Sequence, residues 1–185
     1  QAWSALPFSW RMGSGYRQTR RLLRESESWS PPQMKQAQLE RLRHLLLHAG
    51  NTVPYYRETF SRLNFKPAQI ENISDLRAIP LLSKDHVRQD LDAFRSDALK
   101  PQQTYRVHTG GTSGVPFSFW MDNQAYAKEW AFLVQAWERV GYREGDRKAT
   151  FRGVVLPNPE KRVWAYNPIY QSMNLSTFQL KQERL

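Results

Sequence analysis

One segment near the middle of the chain restricts its fold more than any other. Residues 105–108 and 116–121 have the composition of strands, and a stretch of small polar residues and glycines separates them. Phe117, Phe119 and Met121 alternate along the second run, which predicts that they share one face of a strand. Strand, short loop and strand in this order predict a tight β-hairpin.

The first hundred residues have a helical pattern instead. Ser30, a proline after it, and Gln33 three positions on form a capping box, which is typical of a helix start. Leucines at three- and four-residue steps predict a helix over residues 31–49, and Gly50 is a typical stop. Ser83 predicts the cap of another short helix. We therefore expect this region to be mainly helical.

The pattern changes after residue 101, where the strands of the hairpin begin. Asp122 predicts the cap of a long helix that ends at Gly141. Residues 148–152 predict a further strand, whereas residues 153–185 contain three prolines and are predicted to be mostly loop. A chain that ends in this style is expected to continue in a longer protein.

These patterns predict an α/β fold class in two parts. Residues 1–100 form a mainly helical N-terminal region. Residues 101–185 form the start of an α/β domain, which we expect to be incomplete. The composition agrees with a folded chain, since 40% of the residues are hydrophobic and 13% are aromatic.

The charge of the chain favours anionic partners. The formal net charge is +10, which attracts nucleotide phosphates, coenzyme A, nucleic acid or anionic membrane surfaces. The basic residues are spread along the chain, so the charge alone selects none of these. Four arginines of a predicted helix are expected to form a solvated face, or to pair with an acidic patch on a part of the protein beyond this chain or on a second subunit: Arg17, Arg20, Arg21 and Arg24.

Several classes of protein are excluded or disfavoured by absences in the sequence. There is no cysteine, which excludes disulfides, thiolate catalysis and cysteine-bound metals. No apolar run reaches the roughly 18–20 residues that span a bilayer, and no secretory signal is evident. We therefore expect a cytoplasmic protein without a membrane span. His44 and His48 have the four-residue spacing of metal ligands, but a structural role is expected for them, and we assign no metal-binding residue.

The loop of the hairpin carries the strongest chemical signal. It contains three glycines and three hydroxyl side chains: Thr109, Gly110, Gly111, Thr112, Ser113 and Gly114. Consecutive backbone N–H groups in such a loop form a concave anion site that suits the phosphates of a nucleotide. No Gly-Lys-Ser/Thr follows the glycines, so it is not a Walker A loop. An ordinary polar hairpin loop has a similar composition, and that alternative stays open on composition alone.

The order of residues in this loop resembles the phosphate-binding loop of the adenylate-forming superfamily. That loop reads Thr-Ser-Gly-Thr-Thr-Gly-x-Pro, and Thr109, Gly111, Thr112, Gly114 and Pro116 match it in place. A glycine and a serine replace two of its other residues. Lysines commonly flank the loop in the superfamily, and valine and phenylalanine stand in their places here.

Sequences on the N-terminal side of the loop resemble the phenylacetate–CoA ligase family. The matching stretches are Gln-Leu-Glu-Arg-Leu-Arg from residue 38, Val-Pro-Tyr-Tyr-Arg from residue 53, and Ile-Pro-Leu-Leu-Ser-Lys-Asp from residue 79. Arg152-Gly153 and residues 164–180 resemble its capsular polysaccharide biosynthesis (CapK-type) branch more closely. Each flanking motif alone is a weak indicator of the family, whereas the order of the motifs together with the loop is fairly specific for it.

This resemblance implies an enzyme that activates a carboxylic acid with ATP and Mg²⁺, through an acyl-adenylate, and passes the acyl group to coenzyme A or another nucleophile. The loop from Thr109 to Gly114 would contact phosphate, and His108 would lie near the substrate unless it only packs in its strand. The resemblance also implies that the catalytic residues lie beyond Leu185. The chain would then be an inactive N-terminal fragment, so no catalytic residue is assigned.

Two other functions stay open. The charge and aromatic content fit a nucleic-acid-binding module, although no nucleic-acid motif supports it and nucleic acid is not the expected partner. The other hypothesis is a catalytically inactive relative that serves as an interaction or dimerisation module. A homodimer is one expectation for the chain. Nucleic-acid binding would weaken steeply with salt, whereas nucleotide binding would need Mg²⁺ and the glycine loop.

Overall fold

The protein is a mixed α/β chain, as the sequence predicts at the level of fold class. The computed structural model describes residues 6–109, 116–156 and 162–178. The α-helices are α1 (Phe8–Arg11), α2 (Gly13–Ser26), α3 (Pro31–Thr52), α4 (Pro54–Arg62), α5 (Lys84–Gln89) and α6 (Ala125–Glu138). Short 3-10 helices lie at Pro67–Gln69, Ile73–Ala78, Asp92–Phe94 and Pro101–Gln103. The strands are β1 (Thr104–His108), β2 (Ser118–Asp122), β3 (Lys148–Arg152), β4 (Trp164–Asn167) and β5 (Ser172–Ser176).

Backbone contacts divide the chain into two compact units. Unit 1 comprises Gln1–Arg24 together with Tyr126–Leu185, and unit 2 comprises Glu25–Ala125. Unit 2 is therefore continuous in sequence, whereas unit 1 joins two distant stretches. The predicted division near residue 101, between a helical region and the start of an α/β domain, stays a prediction.

The long helix of unit 2 begins as predicted and ends later. The side-chain Oε1 of Gln33 accepts a hydrogen bond from the backbone N–H of Ser30 at 2.8 Å, which completes one half of the capping box. The helix then continues through Gly50, so the predicted stop there is wrong. A Cβ at Gly50 would lie 2.9 Å from the ring of Phe60. This glycine therefore allows close packing of α3 and α4, and the helix ends at Thr52 instead.

Side chains from several elements of unit 2 form one small core. Leu46 of α3, Phe60 of α4 and Ile70 after the first 3-10 helix are each less than 8% exposed. The predicted cap of α5 is confirmed, because the hydroxyl of Ser83 accepts a hydrogen bond from the backbone N–H of His86 at 3.2 Å. Local capping and a compact cluster thus organise the helical half of this unit.

The predicted hairpin is present in unit 2. Strands β1 and β2 pair antiparallel, from Thr104 opposite Asp122 to His108 opposite Ser118. The predicted helix start at Asp122 is wrong, because this residue ends β2. Its side-chain oxygen accepts a hydrogen bond from the backbone N–H of Gln124 at 2.6 Å, which makes a tight turn before α6.

A three-stranded sheet in unit 1 contains two strands, β4 and β5, that the sequence analysis did not predict within residues 153–185. Its strand order is β3, β5, β4, with β5 parallel to β3 and antiparallel to β4. Pro168 lies in the turn between β4 and β5 rather than inside a strand, and the side chain of Asn167 accepts a hydrogen bond from the backbone N–H of Ile169 at 3.0 Å. Proline and asparagine thus form the turn, and the ladder keeps its donors.

Helices that are far apart in the sequence, α1 and α2 on one side and α6 on the other, form the core of unit 1. Its buried side chains are Phe8, Met12, Tyr16, Trp130, Ala131 and Val134. The ring of Phe8 makes edge contacts with the rings of Tyr16 and Trp130. Aromatic pairs in this geometry stabilise a core beyond the area they bury.

One of the four arginines on α2 is buried, so the prediction of a solvated basic face is wrong for Arg20. It is 3% exposed. Its guanidinium donates hydrogen bonds to the side chain of Gln135 and, at 2.5 Å, to the carboxylate of Glu138. A buried guanidinium requires such partners, and this chain supplies them from α6.

No helix among the described residues combines the length and the apolar character needed to cross a membrane. The longest of them, α3, carries charged and amide side chains along its whole length.

Candidate functional site

The ends of the glycine-rich loop are tied together by hydrogen bonds just beyond the paired strands. The backbone N–H of Thr109 donates to the carbonyl oxygen of Phe117 at 2.9 Å. In return, the backbone N–H of Phe117 donates to the hydroxyl of Thr109 at 3.3 Å. Thr109 therefore has a structural role at the base of the loop, and its hydroxyl faces across the hairpin.

The remaining predicted phosphate contacts lie outside the described residues. These are Gly110, Gly111, Thr112, Ser113 and Gly114. Their contact with phosphate therefore stays a prediction. The described geometry fixes only the start and end of the loop, at Thr109 and Phe117.

Three side chains on one face of the hairpin form a polar row next to the loop. The Nδ1 atom of His108 lies 2.8 Å from the hydroxyl oxygen of Ser118, directly across the ladder. The guanidinium of Arg106 donates to the same hydroxyl at 3.2 Å. His108 and Arg106 are both exposed, so His108 does not merely pack in its strand. Its proximity to a substrate stays a prediction.

Arg106 and Ser118 were not identified from the sequence. The signal that reveals Arg106 is strand periodicity, because residues two apart point to the same face. Arg106 therefore shares a face with His108 once residues 104–108 are known to be a strand. Ser118 shares that face through its register opposite His108.

Farther from the loop, the same face carries an aromatic side chain with an unused donor. Trp120 lies opposite Arg106 in the ladder, and the guanidinium of Arg95 lies 5.1 Å from the centre of its ring. The indole N–H of Trp120 and the Nε of Arg95 are buried and have no hydrogen-bond partner among the described residues. Asp122 lies at the far end of this face, four residues beyond Ser118.

The opposite face of the hairpin is apolar and has its own cation. The rings of Phe117 and Phe119 stack with their centres 6.1 Å apart. The ammonium of Lys84, from the start of α5, lies 6.0 Å from the centre of the Phe117 ring. A single cation on an aromatic face is a weak but favourable contact, so Lys84 is held at the exit of the loop.

Unit 1 contains a separate cavity of about 710 Å³ between α6 and the three-stranded sheet. Aromatic rings form one wall, and Trp130 and Tyr170 stack there with their centres 5.0 Å apart. Thr150 and Ser172 line the sheet side, with their hydroxyl oxygens 2.9 Å apart. The cavity is therefore apolar on the helix side and polar along the sheet.

Lys148 extends from β3 into the aromatic wall of this cavity. Its ammonium lies 4.7 Å from the centre of the Trp130 ring and donates a hydrogen bond to the carbonyl oxygen of Tyr170 at 2.6 Å. Burial lowers the pKa of Lys148 from its ordinary value because the charged form loses water. The aromatic faces and one carbonyl partly replace that hydration.

The described part of the chain contains no group of three or more histidine or acidic side chains that could hold a metal. The Nε2 atom of His48 lies 3.2 Å from the hydroxyl of Thr52 on the same helix. A Mg²⁺ ion that enters with ATP typically needs few protein ligands, because the phosphates and water supply most of its oxygen ligands.

Comparisons with known proteins give the same family as the motifs. No family model matches the chain. It is 32% identical over 130 residues to a phenylacetate-coenzyme A ligase of Pseudomonas putida, an alignment that covers 69% of this chain and 29% of the relative. It is 33% identical over 91 residues to the phenylacetate-coenzyme A ligase of Escherichia coli (strain K12), covering 49% of this chain and 21% of the relative.

The protein CapK of Staphylococcus aureus is also related, at 22% identity over 134 residues, covering 71% of this chain and 29% of CapK. The chain therefore spans less than a third of the length of these relatives. Over the aligned part, the chain is similar to the phenylacetate-coenzyme A ligases and to CapK. This similarity agrees with the family that the sequence motifs predict.

Proposed function

We propose that this chain is the N-terminal part of an ATP-dependent ligase that forms an acyl-adenylate from a carboxylic acid. The observation that carries the proposal is the hydrogen-bonded hairpin base at Thr109 and Phe117, which brings together the two ends of a loop rich in glycine and hydroxyl side chains. The relatives named as phenylacetate-coenzyme A ligases support the same chemistry.

In the proposed reaction, a carboxylate oxygen attacks the α-phosphorus of ATP, and pyrophosphate leaves with the bonding electron pair. A thiol such as that of coenzyme A then takes the acyl group and releases AMP. Backbone N–H groups of the loop would stabilise the negative charge on the phosphates. Mg²⁺ bound to the phosphates would neutralise part of that charge.

In this proposal, residues of this chain bind the nucleotide, and none of them takes part in making or breaking covalent bonds. No catalytic residue is assigned to it, so the chain by itself is proposed to be inactive. The protein is proposed to work in the cytoplasm, and a homodimer belongs to the same proposal. A role in polysaccharide biosynthesis is a further part of it, because the sequence also resembles the CapK-type branch.

The test is carboxylate-dependent exchange of labelled pyrophosphate into ATP by the native protein, with phenylacetate as the first acid in a panel of carboxylates. Gly111→Val and Gly114→Val should each lower the exchange rate by about a hundredfold or more, because a side chain blocks close approach of the phosphates to the backbone. Ala98→Val adds a similar volume at an exposed turn of the same unit and should leave the rate unchanged.

Either of two results would contradict the proposal. One is exchange at the unaltered rate in both glycine variants. The other is no exchange by the native protein with any carboxylate of the panel, which would favour a binding or interaction role instead.

A further inference from the structure

A polyphosphate needs positive charge near it, and the glycine-rich loop itself has none. From Thr109 to Phe117 there is no lysine or arginine. Backbone N–H groups offer partial charges only, whereas a triphosphate carries several full negative charges. Among the described residues, a full positive charge near the loop must therefore come from the elements next to it.

Two cations among the described residues flank the base of the loop, one on each face of the hairpin. Lys84 lies over the ring of Phe117 on the apolar face. Arg106 lies on the polar face, where it is linked through the hydroxyl of Ser118 to His108. His108 directly precedes Thr109 in sequence, so this polar row leads to the first residue of the loop.

The polar face has the better chemistry for phosphate. Arg106 is exposed and uses one of its five N–H donors on Ser118, so donors remain for phosphate oxygens. A guanidinium binds phosphate in a two-pronged geometry that an ammonium lacks. Asp122, the acidic residue on this face, lies at the end away from the loop.

We propose that Arg106, together with His108 and Ser118, is the polyphosphate-binding face of the hairpin and supplies the cation that the loop lacks. Ser118 orients the guanidinium and the imidazole, so both present N–H groups beside the loop. Arg106 contacts the phosphates directly, whereas Ser118 acts by positioning. The inference rests on the proposed function in that ATP is the natural source of the polyphosphate.

The first experiment uses the full 185-residue chain and inorganic tripolyphosphate, with the dissociation constant measured by titration calorimetry. Arg106→Gln should weaken binding by about tenfold or more, the amount expected for one lost charge-assisted hydrogen bond. Arg106→Lys keeps the positive charge but lacks the two-pronged geometry of the guanidinium, so it should weaken binding by an intermediate factor. Binding should be accompanied by a shift of the His108 ring proton resonances.

The matched control is Lys84→Gln, which removes the same charge from the opposite face of the same loop base. It should change the dissociation constant by no more than about twofold, since a charge on the far face acts through screened solvent. Arg41→Gln, on an exposed position of α3, corrects for the general change in net charge. An equal loss in Arg106→Gln and in either control overturns the proposal, and so does an absence of binding by the unaltered chain.

The same variants in the native protein separate this inference from the proposed function. If exchange of pyrophosphate occurs and Arg106→Gln lowers it no more than Arg41→Gln, the inference is wrong and the proposed function stands. If no carboxylate supports exchange while tripolyphosphate binding still depends on Arg106, the proposed function is wrong and the anion site stands.

Discussion

Unit 2 is one continuous stretch of chain, whereas unit 1 joins residues near the start of the sequence to residues more than a hundred positions later. The core of unit 2 is a small cluster around Leu46, Phe60 and Ile70. The core of unit 1 is larger and rich in aromatic residues; the buried side chain of Arg20 and the partly buried side chain of Lys148 also belong to this unit. The comparison shows that the residues proposed to bind polyphosphate lie in the locally organised unit, while the long-range packing is concentrated in the other.

The largest expected effect tests whether the two units unfold separately. Trp130→Ala removes the ring at the centre of the unit 1 core and should destabilise that unit by about 3–5 kcal/mol. Hydrogen exchange measured by mass spectrometry should show lost protection in α2 and α6, with protection of α3 retained. The control is Trp10→Ala, at a tryptophan that is 64% exposed, where a change of no more than about 0.5 kcal/mol is expected. Equal loss of protection in α3 would show that the units unfold together.

A smaller loss of folding stability is expected when ion pairs are broken, and it should differ between the two units. In unit 1, Glu138→Gln removes the carboxylate that lies 2.5 Å from the guanidinium of Arg20, a side chain that is 4% exposed, while the carboxylate of Glu144 remains 3.7 Å away. This should cost about 1–3 kcal/mol. In unit 2, Arg57 and Asp97 are also 2.5 Å apart but about half exposed, so Asp97→Asn should cost no more than about 1 kcal/mol. Urea unfolding midpoints measure both. Similar losses in the two variants would mean that burial does not distinguish these pairs.

The smallest effect appears only as a dependence on pH. Because burial lowers the pKa of Lys148 below its ordinary value of 10.5, the unfolded chain keeps this proton to higher pH than the folded chain does. Folding stability should therefore rise, relative to Lys148→Met, as the pH increases toward 10.5. Exposed Lys35 provides the control, since Lys35→Met should show no such pH-dependent difference. A constant difference between the unaltered chain and Lys148→Met would contradict the lowered pKa.

Features set by local sequence were predictable. The hairpin follows from alternation along residues 116–121, and the starts of α3 and α5 follow from Ser30 and Ser83, because a cap needs only residues within one helical turn. Strand β3 was also predicted at its observed bounds. The family followed from the order of motifs around the loop, which depends on sequence and not on packing.

Features set by distant contacts were not predictable in the same way. Arg20 looks like a solvated arginine until Glu138, 118 residues away, is known to pair with it. The parallel pairing of β3 and β5 is likewise long-range, and Pro168, in the turn between β4 and β5, concealed the two strands beside it. In the candidate site, strand periodicity places Arg106 on the same face as His108, but its position opposite Trp120 and its bond to Ser118 follow only from the register of the hairpin.

The split arrangement of unit 1 also determines when its parts meet during synthesis on the ribosome. Residues 25–125 emerge in one run and can fold as they appear. Arg20 emerges early, but Glu138 follows 118 residues later, a wait of roughly 6–24 s at about 5–20 residues per second. Throughout that interval Phe8, Met12 and Tyr16 lack the helix that buries them, so this aromatic segment stays exposed to solvent while the following residues are made.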